Sequence, residues 1–383
     1  MMVFLLRRKL NVGYVLMAAS ALIFVLYLMP LRSIAKTLYH TVVSPVSIEL
    51  AAALILIRIL EMILRENNVI RDMMDSIRGV LRNKRAVLIS MPLVIGMLPS
   101  VGGAHFSCPM VEESAQGLNL SQEDKAFTNY WYRHPWELVL PLYPGVVLAT
   151  IITNIGIGNL VLLNLSYAVT MLITGFMFCM KDVAGSFERG LPVGRKNFWS
   201  FAPITFLVVL VMVFHVRLSI GIAILVVGLI VYFRYGPNKV LSTLKYGMSI
   251  EIIVLIAGVM LFKESLDSSG AMSNVSRYFV HESIPLLPLL IVLPFISGLL
   301  TGFTLAFVGS AFPLLLSFPG ITAHAFSFAF AAGFAGVLLS PVHVCLVLTR
   351  DYFQADTWGI YKKIIPAVGI MFFIAIAEYL LFT

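Results

Sequence analysis

The chain has 383 residues, 60% of them hydrophobic and 12% charged, with a formal net charge of +8. A soluble domain carries roughly a quarter charged residues, so 27 Lys/Arg and 19 Asp/Glu cannot cover a water-soluble fold of this length. A soluble enzyme, a disordered chain and a disulfide scaffold are excluded, which leaves a polytopic membrane protein with the lipid bilayer as its main solvent.

The positive balance does not point to nucleic acid, because no basic stripe with interleaved aromatics is present and no soluble domain could carry one. No Asp, Glu, Lys or Arg occurs between Glu137 and Lys181, nor between Glu282 and Arg350. As one helix the second stretch would be about 100 Å long, about three bilayer cores, so it must fold back inside the membrane. Neither stretch alternates apolar and polar residues as barrel strands do, and the chain reads as an all-α integral membrane protein.

Taken in chain order, Arg7-Arg8-Lys9 precede an uncharged run to Leu31. The run is too long for a signal-peptide core and has no clear cleavage site, so it reads as a retained first span. Spans are expected at roughly 12–31, 42–64, 135–154, 157–180, 197–214, 217–234, 248–264, 322–348 and 362–382. Two more apolar regions, 86–117 and 285–318, are interrupted near the middle. In the first, arms of about a dozen residues flank Pro99-Ser100-Val101-Gly102-Gly103. Such an arm covers only about 18 Å, well short of the core, so a re-entrant hairpin is expected. The second repeats the plan around Thr301-Gly302-Phe303-Thr304.

With both regions returning to the side they entered, most Lys and Arg fall in one set of loops. The positive-inside rule makes that side cytoplasmic. The expected topology is multi-pass in the plasma (inner) membrane, N-terminus cytoplasmic and C-terminus outside.

The chain also repeats itself. Ser47-Ile48-Glu49-Leu50 and Ser249-Ile250-Glu251-Ile252 each open a span, and Gly96 and Gly298 precede the two tips at the same spacing. Charged connectors, 65–85 and 263–281, precede the hairpins, and a proline-broken helix and a final span follow each. This gives a first repeat over 1–180 (scaffold 12–64, hairpin 86–117, broken helix 135–154, span 157–180). A linker over 181–216 contains the span 197–214. The second repeat covers 217–383 (scaffold 217–264, hairpin 285–318, broken helix 322–348, span 362–382) and is inverted by topology.

Candidate binding residues sit where backbone is irregular at membrane depth. Pro99, Ser100, Gly102 and Gly103 form one half-site, and Gly298, Thr301, Gly302 and Thr304 the other. Carbonyls ending the first arms suit Na⁺, and N–H groups opening the second arms suit an anion. Pro141 and Pro144 break one helix. Ser340 and Pro341 break the other, with Ser340 expected as N-cap and Pro341 as the first helical residue. His105 and His343 follow a tip and a break by two residues each, and are read with equal weight as ligands, proton sites or packing residues. Cys108, Cys179 and Cys345 lie in apolar context without a CxxC and read as packing residues, so no metal beyond Na⁺ at the tips is expected. The aromatic stretch 129–137 reads as an interfacial anchor; the alternative reading puts Arg133 and His134 at a cytoplasmic mouth, where they attract anions.

The segments LPSVGGAHFSCPMVEE, NYWYRHPWELVLPLYPG and GVMLFKESLDSSGAM resemble the ion transporter superfamily. More narrowly they resemble an uncharacterised branch of it related to the gluconate and citrate permeases. The resemblance covers essentially the whole chain. It implies an inverted-repeat secondary transporter with opposed hairpins, elevator-type movement against a scaffold that often dimerises, and oxyanion substrates driven by Na⁺ or H⁺. The tips differ from the Ser-Asn-Thr of the dicarboxylate branch. The expected activity is therefore ion-coupled symport of a small organic anion, with no cofactor other than the coupling ion. The alternatives are an intramembrane enzyme, built from His105, His324, His343 and Ser310, and a passive channel. No HExxH, GxSxG or P-loop supports catalysis or ATP-driven transport.

Overall fold

The computed structural model describes residues 12–81, 83–99, 103–180, 195–282 and 285–382. The tip residues Ser100 and Gly102 lie outside them, as does the side chain of His105. Among the described residues every regular element is helical. The first half supplies α1 (Val12–Leu26), α2 (Leu31–Val43), α3 (Pro45–Glu66), α4 (Val69–Val80), α5 (Lys84–Gly96), α6 (Gly103–Ser114), α7 (Gln122–Arg133), the short α8 (Trp136–Val139), α9 (Pro144–Thr153) and α10 (Ile157–Gly175). A linker helix, α11 (Ala202–Met212), follows. The second half supplies α12 (Leu218–Tyr232), α13 (Pro237–Gly247), α14 (Ile250–Ser268), α15 (Ala271–His281), α16 (Leu286–Thr301), α17 (Thr304–Leu315), α18 (Ala323–Leu339), α19 (Val344–Phe353) and α20 (Thr357–Phe382).

The order of elements in one half recurs in the other. α4 and α15 begin 202 residues apart, at 69 and 271, and so do α5 and α16, at 84 and 286. The prolines inside α5 and α16, Pro92 and Pro294, keep that spacing. So do Gly96 and Gly298, and their packing matches. A Cβ on Gly96 would overlap the Arg133 carbonyl, and one on Gly298 the Gly333 carbonyl. In each half a glycine thus lets the helix before the tip lie directly on the backbone of the helix that later breaks.

The two broken helices stop for the same reason. Leu140 (ψ 123°) and Ser340 (ψ 123°) both precede a proline, which forces them out of helical geometry. Each then opens a turn with proline second: Tyr143 N–H donates to the Leu140 carbonyl at 3.0 Å, and His343 N–H to the Ser340 carbonyl at 3.2 Å. α19 therefore starts at Val344 and not at Pro341, and Ser340 ends α18 instead of capping α19. Carbonyls freed at the breaks would cost several kcal/mol unpaired in hydrocarbon. Asn164 Nδ2 takes Leu138 O at 3.0 Å, Tyr130 Oη takes Leu338 O at 3.0 Å, and Tyr361 Oη takes Leu339 O at 3.1 Å.

Helix packing separates two groups. α3 packs on α12 and α13, and α1 and α2 on α14. α1 and α14 touch at Gly13 and Gly258, where a Cβ on either would overlap the other helix's backbone. The second group comprises α5 to α10 and α16 to α20, joined by α16 on α18, α6 and α7 on α19, and α10 on α20. The groups meet along a seam where α9 lies on α3 and α17 on α14.

By length and apolar character, four stretches among the described residues can cross a membrane: Gln122–Thr153, Ile157–Cys179, Ala323–Phe353 and Thr357–Phe382. A fifth is the pair α13 and α14, bent by 41°. The protein is thus a multi-pass helical membrane protein. α1, α11, α12, α16 and α17 are apolar but shorter. The first broken helix begins at Gln122, earlier than the expected 135, so Lys125 and Arg133 belong to this helix. Its polar residues find partners inside the protein, which hydropathy along the chain does not register. The expected span 42–64 likewise divides into α2 and α3 at Ser44, whose Oγ accepts from Ser47 N–H at 3.1 Å.

Candidate functional site

The tip between α16 and α17 is two residues long. Gly302 takes the left-handed conformation (φ 63°) and its N–H donates to the Gly298 carbonyl at 2.8 Å, ending α16. Phe303 is extended and α17 begins at Thr304. The tip rests on the break between α18 and α19, since a Cβ on Gly302 would lie 2.9 Å from His343 Cα and 3.1 Å from Ser340 Oγ. His343 Nδ1 reaches the Gly302 carbonyl at 2.7 Å. Tyr143, at the matching position of the first break, donates its hydroxyl to the Gly96 carbonyl at 2.5 Å. In both halves the residue closing the break holds a carbonyl of the hairpin.

A cavity of about 370 Å³ lies where these parts meet, on the seam between the two helix groups. Leu54, Ile57 and Arg58 of α3 and Glu251, Ile252 and Leu255 of α14 form one wall. The other is made by Pro99 before α6, Thr301 to Leu305 of the tip, and Tyr143 to Gly145 and His343 to Cys345 of the breaks. Three helix N-termini, those of α9, α17 and α19, therefore open onto one cavity and point partial positive charge into it. Arg133 and Glu137 reach it from α7 and α8.

Of the residues expected at the site, Pro99, Pro144, Thr301, Gly302, Thr304 and His343 line this cavity. Pro141 and Ser340 are buried in the turns behind it, and Pro341 lies in the second turn. Gly298 faces α18, so its small size serves helix packing. Gly103 opens α6, and His105 lies within that helix. Of the residues assembled for an intramembrane hydrolase, Ser310 and His324 lie away from this cavity. Ser310 bonds Ser297 Oγ at 2.7 Å, and His324 stacks on Phe382.

The sequence reading missed the polar centre. Tyr130, Trp131, Tyr132, Arg133 and His134 are buried, with Arg133 2% and His134 0% exposed, so this stretch is not an interfacial anchor. Trp131 donates to the Met171 carbonyl at 2.8 Å, and Asn129 Nδ2 bridges the Ala104 carbonyl and Thr349 Oγ1, both at 3.0 Å. Glu137, at the edge of the acid-free stretch, faces the cavity and accepts the Thr304 hydroxyl at 2.8 Å. His134 and His343 meet Nε2 to Nε2 at 2.9 Å. Cys345 joins them, with its Sγ and the histidine nitrogens all within 4.8 Å of one another. These three could hold a metal ion. The sequence carried one usable signal for this centre: four side chains that are costly in lipid, Asn129, Arg133, His134 and Glu137, within nine residues of an apolar half. Glu112 pairs with Lys125 at 2.9 Å and Glu113 with Arg78 at 2.7 Å.

The family described as "Protein of unknown function (DUF401)" matches residues 1–382. The chain belongs to the DUF401 family. The match spans both halves, so the cavity on the seam lies wholly within the DUF401 region. No curated protein matches the chain.

Proposed function

We propose that this DUF401 protein is a secondary transporter of the ion transporter type. It carries a small organic anion across the membrane by an elevator movement, coupled to Na⁺ or H⁺. The observation that supports this most is the convergence of three helix N-termini and the buried Arg133 on one cavity. Each terminus favours an anion by about 0.3–1 kcal/mol, more when partly buried. Arg58 and Arg133 offset Glu137 and Glu251 there, so the helix ends decide the sign of the field. The matched element starts support an inverted repeat, the halves facing opposite sides of the membrane as the loop charges require. The seam supports the elevator: α5 to α10 and α16 to α20 form the moving body, and the α3 and α14 side the scaffold, across which a homodimer would form.

Purified protein in liposomes tests the reading, with citrate, gluconate and phosphate as probes. An imposed Na⁺ or H⁺ gradient should drive uphill, saturable uptake of at least one of them. Saturable uptake of an organic cation, or flux that only runs downhill and does not saturate, would overturn it.

A further inference from the structure

The two histidines at the break are oriented by the backbone. His134 Nδ1 lies 2.5 Å from the Tyr130 carbonyl and His343 Nδ1 lies 2.7 Å from the Gly302 carbonyl. A carbonyl oxygen only accepts, so each Nδ1 carries the ring hydrogen. In the neutral rings both Nε2 atoms are then bare lone pairs, and they face one another at 2.9 Å. Two lone pairs at that distance repel, and the arrangement is stabilised when a cation sits against both. Cys345 Sγ completes the group within 4.8 Å, and all three residues are buried. Glu137 Oε1 stands 3.8 Å from His134 Nε2, and the Arg133 guanidinium lies beside Cys345.

We infer that His134, His343 and Cys345 form a binding site for a borderline-soft divalent transition-metal ion of the zinc class. Imidazole nitrogens with Nδ1–H held by backbone carbonyls and a nearby cysteine are the donor set such ions take. Two nitrogens at about 2.0–2.1 Å from one ion and about 90° apart lie about 2.9 Å from each other; a tetrahedral angle needs about 3.4 Å, so the rings part by about half an ångström on binding. Binding releases the thiol proton of Cys345 to solvent, and the thiolate sulfur and two nitrogens become ligands. His343 and Cys345 also line the cavity, so the fourth coordination position opens towards it. With one thiolate, Glu137 and Arg133, a divalent ion leaves the centre with a net charge of about +1, to which an anion in the cavity would be attracted. His134 comes from the first half and the other two ligands from the second, so the ion ties the two broken helices together.

The site is read by binding alone, so its outcome is separate from that of the transport assay. Full-length protein in nanodiscs, stripped with chelator, is titrated with Co²⁺ and then with Zn²⁺. The expected result is one ion per chain, with tetrahedral Co²⁺ bands and a thiolate-to-cobalt charge-transfer band, all removed by Zn²⁺. X-ray absorption of the Zn²⁺ form should show one sulfur at about 2.3 Å and nitrogen neighbours at about 2.0–2.1 Å. Cys345→Ser should lose the charge-transfer band and weaken binding by more than about 100-fold, beyond the 10- to 100-fold typical of outer-shell partners; His343→Gln should weaken it similarly. Absence of saturable binding overturns the inference, since the Nε2 pair then shares only a proton. A zinc spectrum without sulfur, or unchanged Co²⁺ affinity in Cys345→Ser, also overturns it.

Discussion

Gly302→Ala is the sharpest test of how the second hairpin serves the cavity. The residue sits at φ 63°, where a side chain costs about 1–2 kcal/mol. The new Cβ would lie 2.9 Å from both Cα and N of His343, against backbone that has no rotamer to give way. The tip must therefore lift off the break, and lifting breaks the 2.7 Å contact between the Gly302 carbonyl and His343 Nδ1. That hydrogen bond contributes about 0.5–1.5 kcal/mol. Together roughly 2–3 kcal/mol is removed from the docked tip, which lowers the ratio of docked to lifted tip by about 30- to 150-fold. Concentration-dependent currents on a solid-supported membrane, with whichever of citrate, gluconate or phosphate is transported, should show half-saturation rising by about 30-fold or more. The thermal unfolding midpoint should change little, because the tip is a small part of the packed surface. Gly298→Ala is the control. Its Cβ would meet the Gly333 carbonyl, so it should lower the melting temperature through the α16–α18 contact. Wild-type half-saturation in Gly302→Ala would refute the docked-tip argument.

Arg133→Gln leaves a shorter, neutral polar side chain at a buried position, and should abolish saturable anion currents; retained currents with unchanged half-saturation would show that the helix ends suffice. Asn129→Leu removes donors to the Ala104 carbonyl, Thr349 and Cys108 at once, which at about 0.6 kcal/mol per bond in a bilayer should lower stability by about 1–3 kcal/mol in denaturation by SDS. Val259→Cys with Gly309→Cys spans the seam: a Cβ on Gly309 would lie 2.9 Å from Val259 Cγ2, close enough for a disulfide. Oxidation should stop uptake and reduction restore it, whereas full cross-linking with undiminished uptake would rule out sliding at α14 and α17.

Much of the fold was legible in the sequence because a bilayer leaves few alternatives. Uncharged runs such as those after Glu137 and Glu282 must be helical where no water can pair the backbone. Proline and glycine then mark where helices end: the tip at Gly302 and the breaks after Val139 and Leu339 fall where Gly302, Pro141 and Pro341 require. The finer end of the second break was not legible. Proline is common both at the first position of a helix and inside a turn, and only the His343 to Ser340 bond chooses the turn. The start of the first broken helix was misplaced because hydropathy scores Asn129, Arg133, His134 and Glu137 as water-seeking. In the folded protein Asn129 bonds Ala104 and Thr349, His134 meets His343 and Glu137 accepts from Thr304, up to 220 residues away along the chain. The same holds for the site. Sequence singled out His343 and Gly302 from their local positions, but the meeting of His134 with His343, and of both with Cys345, exists only once α7 has packed on α19. Local sequence sets where backbone must bend; long-range packing decides which polar groups the bends bring together, and it is those pairings that make buried charge affordable in lipid.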